Sequence, residues 1–105
     1  MNINVTAEHI RRGVANDPDN CMIALAAREA TGVAFRVGPS CMYVQNHVEI
    51  PAIALPPDVV ESRQHFDEGF DVRPFSFEIS DDVVVSAQAV TDVQCFEQME
   101  RELVL

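Results

Sequence analysis

The run Cys21-Met22-Ile23-Ala24-Leu25-Ala26-Ala27-Arg28-Glu29-Ala30 decides the fold, together with Gly32, Val33-Ala34-Phe35-Arg36-Val37, Gly38-Pro39-Ser40 and Cys41-Met42-Tyr43-Val44 after it. Ala, Leu and Met are strong helix formers, and the loop Asn16-Asp17-Pro18-Asp19-Asn20 ahead supplies turn and cap residues. The spacing predicts a helix over 21–30 that stops at Gly32. Met22, Leu25 and Ala26 make one apolar face that ends at Glu29, and Ile23, Ala27 and Ala30 make the adjoining face apolar too. A helix apolar over so much of its circumference is covered on more than one side. Beyond it, 33–37 reads as a strand, Gly38-Pro39-Ser40 as a turn, and 41–50 as a second strand with Met42, Val44 and Val48 alternating. That is a hairpin.

Working outward, Thr6 is an N-cap for a single helical turn through Ile10 to Arg12, ended by Gly13. Pro51, Pro56 and Pro57 break the chain after the hairpin, and Asp58-Val59-Val60-Glu61 has the spacing of a capping box. It introduces a short helix from Val59 to about Phe66 that ends at Gly69, with Val59, Val60 and Phe66 inward. Phe75-Ser76-Phe77-Glu78-Ile79 alternates as a strand with Phe75, Phe77 and Ile79 toward the core. The β-branched density of 83–90 favours a return strand over a helix capped by Asp81 and Asp82. Thr91-Asp92-Val93-Gln94 is another capping box, and Val93, Phe96, Met99 or Glu100, and Leu103 follow helical spacing to the C-terminus. The whole reads as an α+β fold: one domain over 1–105, a small antiparallel sheet packed against two or three short helices. No repeat or linker marks a second domain.

At 105 residues and 48% hydrophobic content the chain is long enough for one core and too apolar for an acidic disordered tail. No apolar run approaches the roughly 18 residues of a membrane span, and Met1 to Ile10 lacks the pattern of a secretory leader, so a soluble, cytoplasmic protein is expected. Cys21, Cys41 and Cys95 are three and widely spaced, which fits neither an even disulfide framework nor a CxxC metal pair. They read as small buried thiols. His9, His47 and His65 lie on separate elements without the i, i+4 spacing of a helical metal site, and Asp81-Asp82 lacks the oxygen spacing of a calcium loop. Neither a metal nor a cofactor is expected.

The charge is polarised. Residues 1–48 carry four acids (Glu8, Asp17, Asp19, Glu29) against four bases (Arg11, Arg12, Arg28, Arg36), whereas 49–105 carry thirteen acids against Arg63, Arg73 and Arg101. The formal net charge of −10 therefore belongs to the second half, where a field of one sign attracts basic surfaces and repels nucleic acid. Arg11-Arg12 is too short a basic patch for direct nucleic-acid binding.

The order Val5-Thr6-Ala7-Glu8-His9-Ile10, Gly13, Cys21 to Ala26, Leu55-Pro56-Pro57-Asp58-Val59 and the segment Phe66-Asp67-Glu68-Gly69-Phe70-Asp71-Val72-Arg73-Pro74-Phe75-Ser76-Phe77 resembles a family of small uncharacterised proteins encoded largely by phages and prophages. The likeness covers roughly 3–79 as a family-like core, and 80–105 reads as an acidic extension. Family members often carry a second Cys where this chain has Pro18, and a Pro where it has Met22, so the resemblance implies no metal or redox role here. Phage source, small size and acidity are also similar to those of anti-CRISPR and other anti-defence proteins, some of which imitate the charge of DNA.

Duplex DNA presents about one charge per 1.7 Å of axis, and carboxylates three or four positions apart on a helix stand about 5–6 Å apart. Glu97 with Glu100, and Asp58 with Glu61, have that spacing, while Asp67, Glu68 and Asp71 gather around an apolar Phe70 able to anchor a contact. The expectation is a non-catalytic inhibitory protein that occupies the basic nucleic-acid-binding surface of a host defence complex such as a CRISPR effector. Its charge would come from Glu61, Asp67, Glu68, Asp71, Asp81, Asp82, Asp92, Glu97, Glu100 and Glu102. The alternatives are an interaction module docking through apolar surface, with acidity only for solubility, and a small enzyme using Cys21 or Cys41 with a histidine base.

Overall fold

The computed structural model describes residues 1–90, in the order β1 (Asn2–Val5), α1 (Ala7–Arg12), α2 (Met22–Thr31), β2 (Phe35–Val37), β3 (Cys41–Val44), β4 (Ile53–Ala54), α3 (Pro57–Asp67) and β5 (Phe75–Glu78). A fourth helix, α4, runs over 81–90. This is a small α+β domain, but its strands form two antiparallel sheets where one was expected: a ribbon of β1 with β5, and a three-stranded sheet β2-β3-β4.

Helix α2 joins the two. It touches β1 of the ribbon, β2 of the other sheet, and α1. Met22, Ile23, Ala24, Ala26 and Ala27 are all buried, which is the burial on several sides that its apolar circumference requires. Small Ala side chains let neighbours come close, while Met22 and Ile23 fill the space among Ile3, Val5, Val33, Phe35 and Met42 in one continuous core. Gly32 ends the helix in the left-handed region at φ 75°, and its N–H donates to the Arg28 carbonyl. The cap at the other end is not one of the loop polar residues but Cys21, whose Sγ accepts from the Ala24 N–H at 3.5 Å.

The Thr6 cap of α1 is present, with His9 in place of the usual Glu or Gln: the Thr6 N–H donates to His9 Nδ1 at 3.0 Å, and Thr6 Oγ1 accepts from the His9 N–H at 3.4 Å. Gly13 ends this helix in an extended conformation, at a position with no room for a side chain. A Cβ there would lie 2.6 Å from the Met22 backbone nitrogen and 3.0 Å from the His9 carbonyl oxygen.

Other expectations need correction. The second hairpin strand stops at Val44 and does not reach residue 50, because Asn46 turns the chain at φ 64° and leaves Val48 fully exposed. Asp58 does not cap α3: the N-cap position is Pro56 with no side-chain hydrogen bond, and Pro57 opens the helix with its fixed φ and missing donor, leaving Asp58 in the first turn. Residues 83–90 are helical, not a strand. Their β-branched density is outweighed by an i, i+3 pattern in which Val84 and Ala87 reach the core, while Asp81 and Asp82 sit in a first turn that favours negative charge. The expected C-terminal helix from Asp92 lies outside the described residues. No described helix is long and apolar enough to cross a membrane.

Met22→Ala should cost about 2–5 kcal/mol in urea unfolding because it empties the junction of both sheets. Gly13→Ala should cost about 1–3 kcal/mol by forcing α1 and α2 apart. A neutral Gly13→Ala would contradict the close approach just described.

Candidate binding site

Helix α3 divides its polar residues between two sides. Glu61, Gln64, His65 and Glu68 are exposed at the i, i+3, i+4 and i+7 positions of one stripe, which Asp58 extends three residues earlier. A rise of about 1.5 Å per residue puts Glu61 and Glu68 about 10 Å apart along the axis. Val59 is buried on the opposite side, with Val60 and Phe66 packed against the core.

The helix carries one arginine, and it is turned away from the acidic stripe. Arg63 Nη1 donates to Asp67 Oδ2 at 2.7 Å, with both side chains 17% exposed, and Arg63 Nη2 donates to the Pro39 carbonyl at 3.3 Å. Asp67 Oδ1 in turn accepts from the Asn16 N–H at 2.9 Å, and the Asp67 carbonyl accepts from Asn16 Nδ2 at 3.0 Å. Asn16 presents both donors by standing at φ 62°, which Asn tolerates better than most residues. The result is a clasp that ties the α1–α2 loop, the hairpin turn and the end of α3 together. Its physical effect is to neutralise Asp67 and Arg63 against one another, withdrawing both charges from the outward stripe.

The clasp forms one wall of a cleft of about 340 Å³, whose other walls include Cys21, Arg36, Pro39 and Tyr43. Its acids are already engaged. Hydrogen bonds from the Asn20 amide and the Asp19 N–H hold the Asp17 carboxyl below the usual carboxylate range. Burial pushes the Cys21 thiol up, which keeps it protonated and unreactive. No hydrogen bond joins Cys21 or Cys41 to a histidine among the described residues: His9 bonds Thr6 and Glu29, and His47 Nδ1 meets Glu49 at 3.0 Å. His9 Nδ1 accepts the Thr6 N–H, so its lone pair serves the cap of α1. No three His, Cys, Asp or Glu side chains gather as a metal-ligand set among the described residues.

The ten expected charge carriers therefore separate by place. Glu61, Glu68 and Asp71 are exposed and make no ion pair with another described residue, the first two on the α3 stripe and Asp71 just beyond it. Asp67 sits inside the clasp. Asp81 and Asp82 open α4, where Asp81 Oδ1 accepts from the Met1 amino group at 2.5 Å, with Glu78 3.6 Å from the same group. Asp92, Glu97, Glu100 and Glu102 lie outside the described residues. Sequence reading missed the clasp, although Arg63 and Asp67 at i, i+4 were its visible signal. Comparison with protein families, with curated proteins and with solved structures finds no match to this chain.

Asp67→Ala should lower stability by about 1–3 kcal/mol, because it leaves a largely buried guanidinium without its carboxylate and the Asn16 N–H without its acceptor. Glu68→Ala and Asp71→Ala should change it by no more than about 0.5 kcal/mol. Thiol labelling of the native Cys95→Ser protein near pH 8 should modify the half-buried Cys41 at least about tenfold faster than Cys21. Comparable rates would contradict the burial of the α2 cap.

Proposed function

We propose that this protein is a non-catalytic inhibitor of phage type, acting in the host cytoplasm, whose acidic second half occupies a basic, nucleic-acid-binding protein surface. A host defence complex such as a CRISPR effector presents that chemistry. The observation that carries the reading is the composition of the α3 stripe: Asp58, Glu61 and Glu68 face outward while the one arginine of the helix is turned inward and paired. Carboxylates left without a neighbouring cation repel one another and cost folding stability. A partner that supplies Lys and Arg offsets that cost on binding, as DNA phosphates are offset by the same residues.

Electrostatic complementarity of this kind acts first on the rate of encounter and is screened beyond about 8 Å at physiological salt. The charge carriers we assign are Glu61, Glu68 and Asp71, with Asp81, Asp82, Asp92, Glu97, Glu100 and Glu102 adding to the field. Asp67 contributes by holding the turn in place.

The test is displacement of labelled duplex DNA from a purified CRISPR effector. The protein should displace it at low salt and lose potency steeply toward 0.15 M, and joint Glu61→Lys, Glu68→Lys and Asp71→Lys substitution should weaken displacement by at least about tenfold. Salt-independent displacement, or full potency of the charge-reversed protein, would remove the electrostatic reading.

A further inference from the structure

The end of α3 holds an aromatic ring out of the core. Glu68 occupies the C-cap, its N–H donating to the Gln64 carbonyl at 3.0 Å. Gly69 stands at φ 87°, and its N–H donates to the Phe66 carbonyl at 3.2 Å. The Phe70 N–H then reaches back to the His65 carbonyl at 2.9 Å, which completes a Schellman motif. Asp67, one residue before the cap, is locked to Asn16 and Arg63. The turn is therefore fixed as far as Phe70, yet the residue remains 64% exposed.

A Schellman motif commonly carries an apolar contact between the residue at Phe70's position and the one at His65's, and that contact exists here. The rings meet edge to face, with centroids 6.0 Å apart and planes at 76°. It covers only part of the phenyl ring and sets its direction. Phe70 stands against His65, in the middle of the acidic stripe, with Glu68 and Asp71 as chain neighbours.

We infer that Phe70 is a pre-ordered anchor of the binding face, and that the partner surface it enters is an apolar pocket bordered by Lys or Arg side chains. This rests on the electrostatic reading above and adds to it what charge alone lacks, a buried contact that fixes register. Aromatic anchors in dry pockets ringed by polar contacts dominate interface energetics, and a ring already held in its bound orientation loses little entropy on docking. A second copy of this chain is disfavoured as occupant, because it would bring Glu68 and Asp71 against their own kind.

The chain contains no tryptophan, so Phe70→Trp installs a single fluorophore at the anchor. The probes are two synthetic helical peptides of equal positive charge, one with a Lys face and a Leu face, the other with Ser in place of Leu. Both should bind at low salt. Only the Leu-bearing peptide should shift the Trp emission to the blue and protect it from iodide, and Phe70→Ala should weaken that peptide about tenfold while leaving the Ser-bearing one unchanged. Equal affinity of Phe70→Ala for the Leu-bearing peptide, or a Trp that stays wet in the complex, would overturn the anchor and leave the charge reading intact. Failure of both peptides to bind would overturn both. A blue shift produced by raising the protein concentration alone would replace the proposed partner with a second copy of the chain.

Discussion

Burial of α2 on several sides at once is the constraint from which the architecture follows. Neither sheet is large enough to stand alone: a two-stranded ribbon is marginal in water, and the three-stranded sheet has β4 of only two residues at its edge. Each gains an apolar partner by leaning on the same helix. The sequence of α2 suits that double duty, with alanines where backbones approach and Met22 and Ile23 where space must be filled. Gly13 makes the arrangement tighter still by letting the end of α1 pass against the backbone at Met22.

On this scaffold α3 has an ambivalent character. Its inner edge carries an ion pair, and its outer edge carries carboxylates with no arginine or lysine among them. Placing Arg63 between the loop, the hairpin turn and Asp67 does two things with one side chain: it fastens the end of the helix, and it leaves the opposite face with an unmixed sign. A surface that served only solubility would be free to scatter its charges, and scattering would relieve their repulsion. The same fastening gives Phe70 its rigidity. Stability and the outward display of charge are thus products of one arrangement.

Much of the fold was legible where local chemistry and tertiary demand agree. Thr6 and Gly13 bracket α1, Gly32 stops α2, the Gly38-Pro39-Ser40 turn joins β2 to β3, and Phe77 and Ile79 point inward as their alternation requires. The misreadings occurred where the two compete. In 83–90 the valines suggested a strand, but Val84 and Ala87 are buried in the core with Val83 and Val90 packed beside them, a helical interval. At Asp58 the acid spacing imitated a capping box although Pro57 already opens the helix. Strand β4, of two residues between prolines, was too short to stand out, and the alternation of Ile3 and Val5 in β1 was passed over. At the candidate site the exposed acids of α3 could be placed from the sequence, whereas the inward turn of Arg63 could not. It depends on Asn16 and Pro39, which are far away in the chain and brought close only by the fold.

The pairing of β1 with β5 sets Asn2 beside Glu78, so the first strand described has as its partner the last one described. Contacts this far apart in the chain pay their loop-closure entropy late and slow folding relative to local ones. The β2–β3 hairpin and α2 lie close together in sequence and can assemble while the rest of the chain is still emerging. The N-terminal strand must wait. Until β5 arrives, Ile3 and Val5 are apolar side chains on an unpaired edge, which makes the interval before the ribbon closes the stage at which the nascent protein is most open to aggregation or to chaperone capture.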